Sequence, residues 1–273
     1  MHARRTIISI LLIVLFGLTC SAQRGRSYNP LCLEMQAYAN GASTRPSCQV
    51  ICVLNYYIQT LKNDGNWMFD GLWILGVDAT STAIVNAALP YQACQINNAM
   101  PFTPYQGFKG DGATQYLSTL LQIDSLKHTT ATNFSAGVWV RQANTAPNGV
   151  EMGTAPAAGV GFVIAYNFST YHKLVEMSDA NVTGINNTDL GLEVGYRNNS
   201  TQNSILQNGT NILTSTAASS AFSTSNIINI FQYATATGDL SNAQLSLAFI
   251  GPATINQTKF NAATQTLAWQ LNW

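Results

Sequence analysis

The chain has 273 residues, a formal net charge of +0 and 9% charged residues, far below the roughly 25% of an ordinary soluble domain. This composition argues against a nucleic-acid-binding protein, which needs a basic stripe, and against a long charged coiled coil. The hydrophobic content of 47% argues against disorder, and the length suits one large β domain or one domain with a small appendage.

The first 22 residues have the three parts of a secretory signal peptide. Arg4 and Arg5 supply a basic start, an apolar run covers 6–18, and small residues precede a predicted cleavage site after Ala22. The run is short for a membrane span, so we expect the mature chain to be exported without membrane insertion. An uncleaved N-terminal anchor and lipid attachment at Cys20 are the two alternatives.

The segment after this leader, residues 23–100, is predicted to contain an irregular arm and a small helical module. The arm covers 23–46 and is rich in Gly, Ser, Asn and Arg. Ser47 can cap a helix that ends near Asn63, because apolar residues between them recur at helical spacing and form one face.

Two further elements are predicted in the same segment. The apolar run over 67–75 favours a short helix that leads into a strand. Asp78 or Thr80 can cap a second helix that continues to about Ala88. Pro90 stops this helix, since the residue before a proline avoids the helical conformation.

Four cysteines remain after removal of the leader, and in an exported chain an even number favours two disulfides. They are Cys32, Cys48, Cys52 and Cys94. Cys48 and Cys52 are four residues apart and share one helix face, so each is expected to pair elsewhere, with Cys32 and Cys94 as candidate partners. Three pairings stay open, and buried thiols without a disulfide are the alternative. The spacing does not match a zinc site.

From Phe102 onward the chain is a series of short apolar or alternating runs separated by Gly, Asn, Ser and Thr. This pattern is typical of an antiparallel sandwich or jelly roll. In one run, the alternation places Val138 and Val140 on one face and Trp139 and Arg141 on the other. The clearest runs are 136–141, 160–166, 190–196, 227–234 and 244–250.

The last segment, 257–269, is predicted to be a closing helix. Asn256 or Thr258 can cap it, and its apolar side combines residues at helical spacing. These apolar residues are Phe260, Ala263 and Leu267. The sequence therefore predicts a mainly β fold, in which residues 101–273 form the sandwich and its closing helix.

A phrase at 101–119, PFTPYQGFKGDGATQYLST, resembles a segment of concanavalin-A-like (laminin-G-like) jelly-roll domains in phage-encoded and bacterial exported proteins. Three further patches are similar to the same domains, namely a helical lead-in at 66–73, a strand at 135–141 and a penultimate strand at 244–251. The resemblance covers roughly residues 60–273 and implies a concanavalin-A-like jelly roll, but it implies little about activity. The leader and the four cysteines depart from the phage members. The matching residues of the phrase are Phe102, Thr103, Gly107, Phe108, Gly110, Asp111, Gly112, Thr114, Tyr116, Leu117 and Thr119.

Turn chemistry accounts for much of this phrase. Gly107, Gly110 and Gly112 permit a positive φ in a tight hairpin, and Asp111 followed by glycine is a favoured turn pair. Asp111 is therefore interpreted first as a turn residue, with a ligand-binding role as the alternative.

Glycosidases on this fold need two closely spaced carboxylates, and the sequence offers no clear pair. Glu193 lies on a predicted strand without a carboxylate two residues away, and Asp189 belongs to the preceding turn. His128 and His172 are not accompanied by a nucleophile elbow. No catalytic residue is therefore assigned. A glycosidase site would need the fold to place a second carboxylate, from a distant part of the chain, beside Glu193.

Residues 179–184 resemble the opening of a calcium-binding loop, with Asp179 and Asn181 as ligands and Asn187 and Asp189 as helpers. The following leucine occupies the position at which an EF-hand needs a bidentate carboxylate, which excludes an EF-hand. An irregular calcium site in a jelly-roll loop and an Asn-rich turn are the two interpretations. No other metal and no cofactor is predicted.

Sugar binding suits this composition better than catalysis does. Aromatic faces stack on sugar rings, while Asn, Asp and Gln side chains bind hydroxyl groups. Trp139, Arg141, Tyr196 and Arg197 are the candidate ligand-binding residues, together with Asp111. Packing against a neighbouring strand or the closing helix is the alternative for each.

The leading prediction is an exported, non-catalytic protein that binds a surface glycan or glycoprotein in adhesion or receptor recognition. The first alternative is a structural component of a phage particle, such as a tail, fibre or capsid-decorating protein, located in the virion. The second alternative is a glycoside hydrolase or lyase. A homo-oligomer is compatible with both the glycan-binding protein and the phage component. No nucleic-acid partner is expected.

Overall fold

A computed structural model gives the fold over most of the chain after residue 30. It describes residues 31–154, 162–168, 171–177, 180–184, 190–216, 222, 226–233 and 239–273, with only the backbone of 166–168, 171–177 and 180–184. The predicted signal peptide lies outside the described residues.

Four helices lie in the described residues: α1 (Leu33–Gly41), α2 (Cys48–Asn63), α3 (Thr80–Ala83) and α4 (Gln257–Gln270). Ser47 Oγ accepts a hydrogen bond from the Val50 N–H at 3.3 Å, and Asn256 Oδ1 accepts one from the Lys259 N–H at 3.1 Å. These caps confirm the predicted starts of α2 and α4, because each satisfies an N–H that the helix leaves unpaired. None of the described helices is both long and apolar enough to cross a membrane.

Two antiparallel sheets make up the rest of the fold and confirm a mainly β sandwich with a small helical part. The strands of the first sheet are β1 (Gly71–Trp73), β3 (Phe102–Thr103), β4 (Gly107–Lys109), β6 (Phe134–Gln142), β11 (Gly191–Asn199), β12 (Gln202–Gln207), β13 (Thr210–Ser215) and β15 (Gln244–Gly251). The strands of the second sheet are β2 (Gln95–Asn97), β5 (Tyr116–Gln122), β7 (Val150–Thr154), β8 (Phe162–Phe168), β9 (Tyr171–Met177), β10 (Ala180–Gly184) and β14 (Ile227–Ile230).

The spatial order of the strands differs from their order along the chain. The first sheet has the order β13-β12-β11-β6-β15-β4-β3, and β1 pairs with β15. The second sheet has the order β10-β9-β8-β7-β14-β5-β2. Strands β1 and β2 precede residue 101, so the segment assigned to the N-terminal module contributes one strand to each sheet.

Alternate residues of the facing strands fill the interior of the sandwich. Val138 and Val140 of β6 are buried there, as the alternation predicts. Phe134 reaches Phe162 of the second sheet, with ring centroids 5.0 Å apart. Removal of this apolar surface from water is the main force that holds the two sheets together.

Helix α4 covers the outer face of the first sheet. Phe249 of β15 packs on Phe260 of α4 with ring centroids 4.6 Å apart, and Phe69 joins them at 5.9 Å from Phe249. Gly137 lies beneath the Phe249 ring, where a Cβ atom would overlap the ring. The predicted apolar side of the closing helix is therefore confirmed as its buried side.

The prediction of an irregular arm is wrong over Leu33–Gly41, which forms α1. Periodicity could not indicate this helix because only two of its residues are buried. Contacts with distant residues stabilise it instead. The Tyr38 hydroxyl donates to the Thr82 carbonyl at 2.8 Å, and Lys62 of α2 pairs with Glu34 at 2.6 Å.

Helix α3 is also shorter than predicted, since it ends at Ala83, and the run at 67–75 contains strand β1 but no helix. Asp78, a predicted cap, instead accepts a hydrogen bond from the Ser47 N–H at 2.6 Å. The chain after α3 turns so that Asn86 Oδ1 can accept from the Leu72 N–H at 3.0 Å. Pairing with β1 therefore replaces the last turn of the predicted helix.

The described part of the chain shows no disulfide among Cys32, Cys48, Cys52 and Cys94, so the structure does not support the predicted pairing. Cys48 and Cys52 lie on α2, whereas Cys32 precedes α1 and Cys94 precedes β2. Cys48 is exposed at the start of α2, Cys94 is 4% exposed in the core, and the Cys32 N–H donates to Asn55 Oδ1 of α2 at 3.0 Å. Burial raises the pKa of the Cys94 thiol, which keeps it protonated and unreactive.

The glycines of the hairpin phrase serve two different purposes. Gly107 and Gly112 have the predicted positive φ, at 91° and 72°. Gly110 does not, so that part of the prediction is wrong. Glycine is required there because a Cβ atom would overlap the carbonyl oxygen of Ser241.

Asp70 ties the segment before β1 to the loop before β6. Its side chain is 4% exposed. It accepts hydrogen bonds from the N–H groups of Lys127 at 2.6 Å and His128 at 3.1 Å, and from the Thr129 hydroxyl at 2.6 Å. These donors replace the water that a buried carboxylate loses, so the contact fixes the two segments relative to each other.

We expect Asp70→Ala to lower the free energy of unfolding by roughly 2–4 kcal/mol, because three donors at a largely buried site lose their acceptor. Asp124→Ala is the matched control, since Asp124 is exposed and its side chain makes no hydrogen bond among the described residues. Urea denaturation of both variants measures the difference. Equal stability of the two would show that Asp70 does not clamp these segments.

Candidate ligand-binding site

An open cleft of about 620 Å³ lies where α4 begins, against the outer face of the first sheet. Strands β11 and β12, the turn before β6 and the segment that joins β15 to α4 form its walls. We name it the Tyr196 pocket. Its lining residues are Asn133, Tyr196, Asn198, Leu206, Ala253, Thr254, Ile255, Asn256, Gln257 and Thr258.

The alternation of β11 places the Tyr196 ring in this pocket. Leu192, Val194 and Tyr196 lie on the outer face of the strand at two-residue spacing. The first two are buried, at 1% and 2% exposed, whereas Tyr196 is partly exposed. Its neighbours across the sheet are Ser135 and Ser204, whose small side chains leave room beside the ring.

The segment between β15 and α4 is held firmly in place. Asn66 Oδ1 accepts from the Asn256 N–H at 2.9 Å, and Asn66 Nδ2 donates to the Asn256 carbonyl at 3.4 Å. The Ser135 hydroxyl donates toward the carbonyls of Gly251 at 3.2 Å and Pro252 at 3.1 Å. These contacts preorganise one wall of the pocket, which reduces the entropy lost when a ligand binds.

Gln257 belongs to the lining, and its amide group is shielded from solvent. Its Nε2 and Oε1 atoms are both buried, and neither has a hydrogen-bond partner in the structure. Other polar atoms of the described residues are buried in the same way, among them Trp73 Nε1 and Thr154 Oγ1, so this feature does not by itself mark a site. Ala253 and Ile255, at 4% and 2% exposed, form an apolar floor nearby.

The pocket carries no formal charge. None of its ten lining residues is Asp, Glu, His, Lys or Arg. The available chemistry is one aromatic ring, three apolar side chains, and amide and hydroxyl groups. Such a set can bind an uncharged, hydroxyl-rich molecule.

Arg197, the residue after Tyr196, lies on the opposite face of β11. It is 0% exposed, and its Nη2 donates to the Ser200 carbonyl at 2.9 Å. Burial lowers the pKa of this guanidinium. Of the two adjacent candidates on this strand, the structure therefore brings only Tyr196 to the pocket.

Trp139 and Arg141 lie on the outer face of β6, but the last residues of the chain cover them. The rings of Trp139 and Trp273 meet edge to face with centroids 5.8 Å apart, and Arg141 Nη1 donates to the Asn272 carbonyl at 2.8 Å. Trp273 Nε1 in turn donates to the Gly76 carbonyl at 2.8 Å. Their observed contacts are intramolecular packing, away from the Tyr196 pocket.

Asp111 organises the turn between β4 and β5. Its Oδ1 accepts from the N–H groups of Ala113, Thr114 and Gln115 at 2.9, 2.8 and 3.0 Å, and its Oδ2 accepts from the Thr114 hydroxyl at 2.7 Å. Partial burial alone would raise the pKa of this carboxyl, but the four donors together lower it below its usual range. These contacts fit the interpretation of Asp111 as a turn residue.

The predicted calcium loop is in part a β-strand. Asn181 lies in strand β10, where its backbone pairs with that of Glu176, so residues 180–184 are not an irregular loop or turn. Asp179, Asn187 and Asp189 lie outside the described residues. Within the described ranges no group of three acidic, His or Cys side chains could hold a metal, and the calcium site stays a prediction.

Sequence reasoning did not identify most of the pocket. Gln257 and Thr254 match no motif, and for Asn256 and Thr258 the sequence predicts only a role as helix caps. The lining combines three distant parts of the chain, around residues 133, 196–206 and 253–258. The only available signal was an aromatic residue on a strand face, which indicated Tyr196.

Comparisons with known proteins bear on the fold. Neither a protein-family model nor a curated protein matches the chain. A mutant of HCR/D has a TM-score of 0.51 at 8% identity, over 72% of this chain and 53% of that chain. At this identity the likeness concerns the fold alone.

Two further solved structures have slightly lower scores. Trypanosoma rangeli sialidase in complex with 2,3-difluorosialic acid has a TM-score of 0.49 at 11% identity, over 80% of this chain and 39% of the sialidase. Domain 4 of AbnA, an extracellular arabinanase from Geobacillus stearothermophilus, was solved in complex with arabinotriose. It has a TM-score of 0.48 at 8% identity, over 72% of this chain and 98% of that domain. This chain therefore spans less than half of the sialidase's length.

The Trp139–Trp273 contact predicts energetic coupling between the two rings. We expect Trp139→Ala and Trp273→Ala each to lower the free energy of unfolding, and the double variant to lose less than their sum. Edge-to-face pairs of this kind couple by about 0.5–1.5 kcal/mol. A double-mutant cycle in urea measures this coupling, and strict additivity would contradict the contact.

The hydrogen bonds of Asp111 predict a contribution to acid stability. Because folding lowers the pKa of Asp111 below its ordinary value of 3.8, the carboxylate stabilises the fold fully above that value and loses its effect as the pH falls through the folded-state pKa. The melting temperature of the natural chain should therefore fall more steeply below about pH 4 than that of Asp111→Asn. Thermal unfolding between about pH 7 and pH 2 tests this, with Asp124→Asn as control. Parallel curves for all three chains would contradict it.

Proposed function

We propose that this chain is an exported, non-catalytic protein that binds carbohydrate in the Tyr196 pocket. The observation that carries this proposal is a partly exposed tyrosine ring beside an uncharged set of amide and hydroxyl side chains. The proposal includes the assignment of the sandwich to the concanavalin-A-like jelly rolls, with which two facing antiparallel sheets are compatible.

A sugar matches this pocket in shape and in chemistry. A pyranose ring has an apolar face of C–H groups, which can stack on the Tyr196 ring and contact Leu206. Its hydroxyl groups each donate and accept hydrogen bonds, as amide and hydroxyl side chains require. The lining is richer in amide and hydroxyl side chains than in apolar ones, which suits a ligand whose surface is rich in hydroxyl groups.

The same lining disfavours hydrolysis of a glycosidic bond in this pocket. Glycosidases place two carboxylates on either side of the scissile bond, one to protonate the leaving group and one to attack or activate water. The ten lining residues include no carboxylate and no histidine. Binding without catalysis is therefore the function that this pocket supports.

We expect Tyr196→Ala to weaken glycan binding by at least about tenfold, which corresponds to about 1.4 kcal/mol of lost contact. The natural mature chain, starting at Gln23, is first applied to a glycan array, and titration calorimetry with a bound glycan then compares the variants. Tyr196→Phe, which keeps the ring, should retain most of the affinity.

Tyr91→Ala is the matched control, because Tyr91 is 80% exposed and lies outside the pocket. Melting temperatures establish that each variant is folded. A folded natural chain that binds no glycan would contradict the proposed function. Equal binding by Tyr196→Ala and the natural chain would place the site elsewhere.

A further inference from the structure

We propose that the outer side of helix α4 is a self-association surface, on which Trp269 of one copy packs into a groove between α2 and α4 of a second copy. The inference concerns assembly and goes beyond glycan binding. It rests on an exposed tryptophan, on an apolar groove beside it, and on a spacing along α4 that lets each tryptophan meet the groove of the other copy. The groove and the Tyr196 pocket share no lining residue.

Trp269 is the tryptophan that the fold leaves exposed. All five tryptophans of the chain lie in the described residues, and Trp269 is 47% exposed, whereas the other four are buried or partly buried. The solvent side of α4 carries Trp269 together with Ala262, Gln265 and Thr266, which recur at helical spacing. Tryptophan is enriched among the residues that contribute most to protein–protein binding, because its large ring gains much from leaving water.

A groove of about 210 Å³ runs between α2 and α4 beside this row of residues. Tyr56 and Thr60 of α2 lie on one wall, and Ala262 and Thr266 of α4 lie on the other. We name it the α2–α4 groove. Its volume is below the roughly 300–1,000 Å³ of pockets for drug-sized ligands, so it suits a single large side chain.

Two contacts between the helices fix the width of the α2–α4 groove. The hydroxyl groups of Tyr57 and Thr264 are hydrogen-bonded at 3.1 Å in the buried layer beneath it. At one end, Lys259 Nζ pairs with Asp64 Oδ1 at 3.0 Å. The groove is therefore formed before anything enters it, which reduces the entropy lost on association.

The walls of the α2–α4 groove are apolar in character, although two threonines belong to them. The Thr60 hydroxyl donates to the Tyr56 carbonyl at 2.9 Å, and the Thr266 hydroxyl donates to the Ala262 carbonyl at 3.0 Å. Each hydroxyl is thus bonded within its own helix, four residues back. Because these groups already have an acceptor, the walls suit an aromatic ring better than a ligand rich in hydroxyl groups.

The spacing along α4 allows two copies to pack on each other in the same way. Residues 262 and 269 are equally far from the midpoint between Gln265 and Thr266. When two α4 helices pack antiparallel about a two-fold axis at that midpoint, Trp269 of each copy meets Ala262 of the other. The ring then enters the groove beside the smallest side chain of its wall. A second copy carries both the ring and the groove in this register, which favours it over a different protein.

Charge and size are also compatible with a second copy. Lys259 is the only charged residue of α4, and it pairs with Asp64 of its own chain. The antiparallel register separates the two lysines by roughly 20 Å, so like charges do not oppose each other. The 14 residues of α4 give a contact roughly 21 Å long. Such a contact is at the lower end of interface sizes, which predicts a weak dimer that forms as the concentration rises.

Sedimentation equilibrium of the folded mature chain, starting at Gln23, measures this association between about 1 and 200 μM. We expect a monomer–dimer equilibrium with a Kd of roughly 1–100 μM. Trp269→Ala should raise this Kd at least about tenfold. Tyr91→Ala is the matched control, because it removes an aromatic ring that is 80% exposed and lies outside the α2–α4 groove. Melting temperatures establish that each variant is folded.

A cysteine cross-link tests the antiparallel register. Gln265→Cys lies beside the two-fold axis, where two copies come close enough for a disulfide, whose Cα atoms lie roughly 4–7 Å apart. Thr258→Cys is its control, because Thr258 is also exposed on α4 but its two copies are roughly 22 Å apart in this register. With oxidised glutathione as oxidant, Gln265→Cys should give far more covalent dimer than the natural chain, and Thr258→Cys should give no more.

Each outcome bears on one part of the inference. A natural chain that stays monomeric over the whole concentration range would overturn the self-association surface. A dimer that Trp269→Ala leaves unchanged would overturn the packing of Trp269 in the groove. Equal cross-linking of the two cysteine variants would overturn the antiparallel register. None of these results alters the proposed glycan binding, since the Tyr196 pocket is formed by other residues.

Discussion

Strand β15 is apolar on both faces, and both faces must be covered for the fold to be stable. Leu245, Ala248 and Ile250 pair with inward-facing positions of β6, whereas Leu247 and Phe249 pair with outward-facing ones, and all five are 0% exposed. The second sheet covers the inner set. The outer set would face water if the molecule were only a sandwich, so α4 and the segment before β1 pack over it, with Phe260 and Phe69 against Phe249.

The position of the pocket follows from this cover. Helix α4 is anchored over Phe249 near its N-terminal end and at its far end by Trp273, which meets Trp139. The cover stops at the beginning of the helix, while β11 and β12 continue beyond it. Tyr196 and Leu206 are therefore left partly exposed there, beside the polar segment that leads into α4. The site therefore lies where the cover of α4 over the first sheet ends. Its floor is apolar because it belongs to the covered sheet face, and its rim is polar because it is open to solvent.

Asparagine side chains make many of the hydrogen bonds that join distant segments of this chain. Asn66 fixes the chain before α4, Asn86 bonds the start of β1, and Asn242 Oδ1 accepts from the Thr145 N–H at 2.7 Å. An amide can both donate and accept, so it satisfies backbone groups without the desolvation penalty of a charge. Asp70 is a buried carboxylate whose oxygens accept hydrogen bonds from three donors. The uncharged pocket is thus typical of how this chain uses polarity.

Local signals in the sequence determined the β-rich class, the strands with clear alternation, and helices α2 and α4 with their caps, because each depends on residues within a few positions of one another. Tyr196 was also predictable as an aromatic residue on a strand face. Helix α1 and the early end of α3 were decided by contacts between distant segments, which periodicity does not record. The same holds for the pocket. The residues of the α4 wall have no local signature of a binding site, and only the packing of α4 on the first sheet places them beside Tyr196.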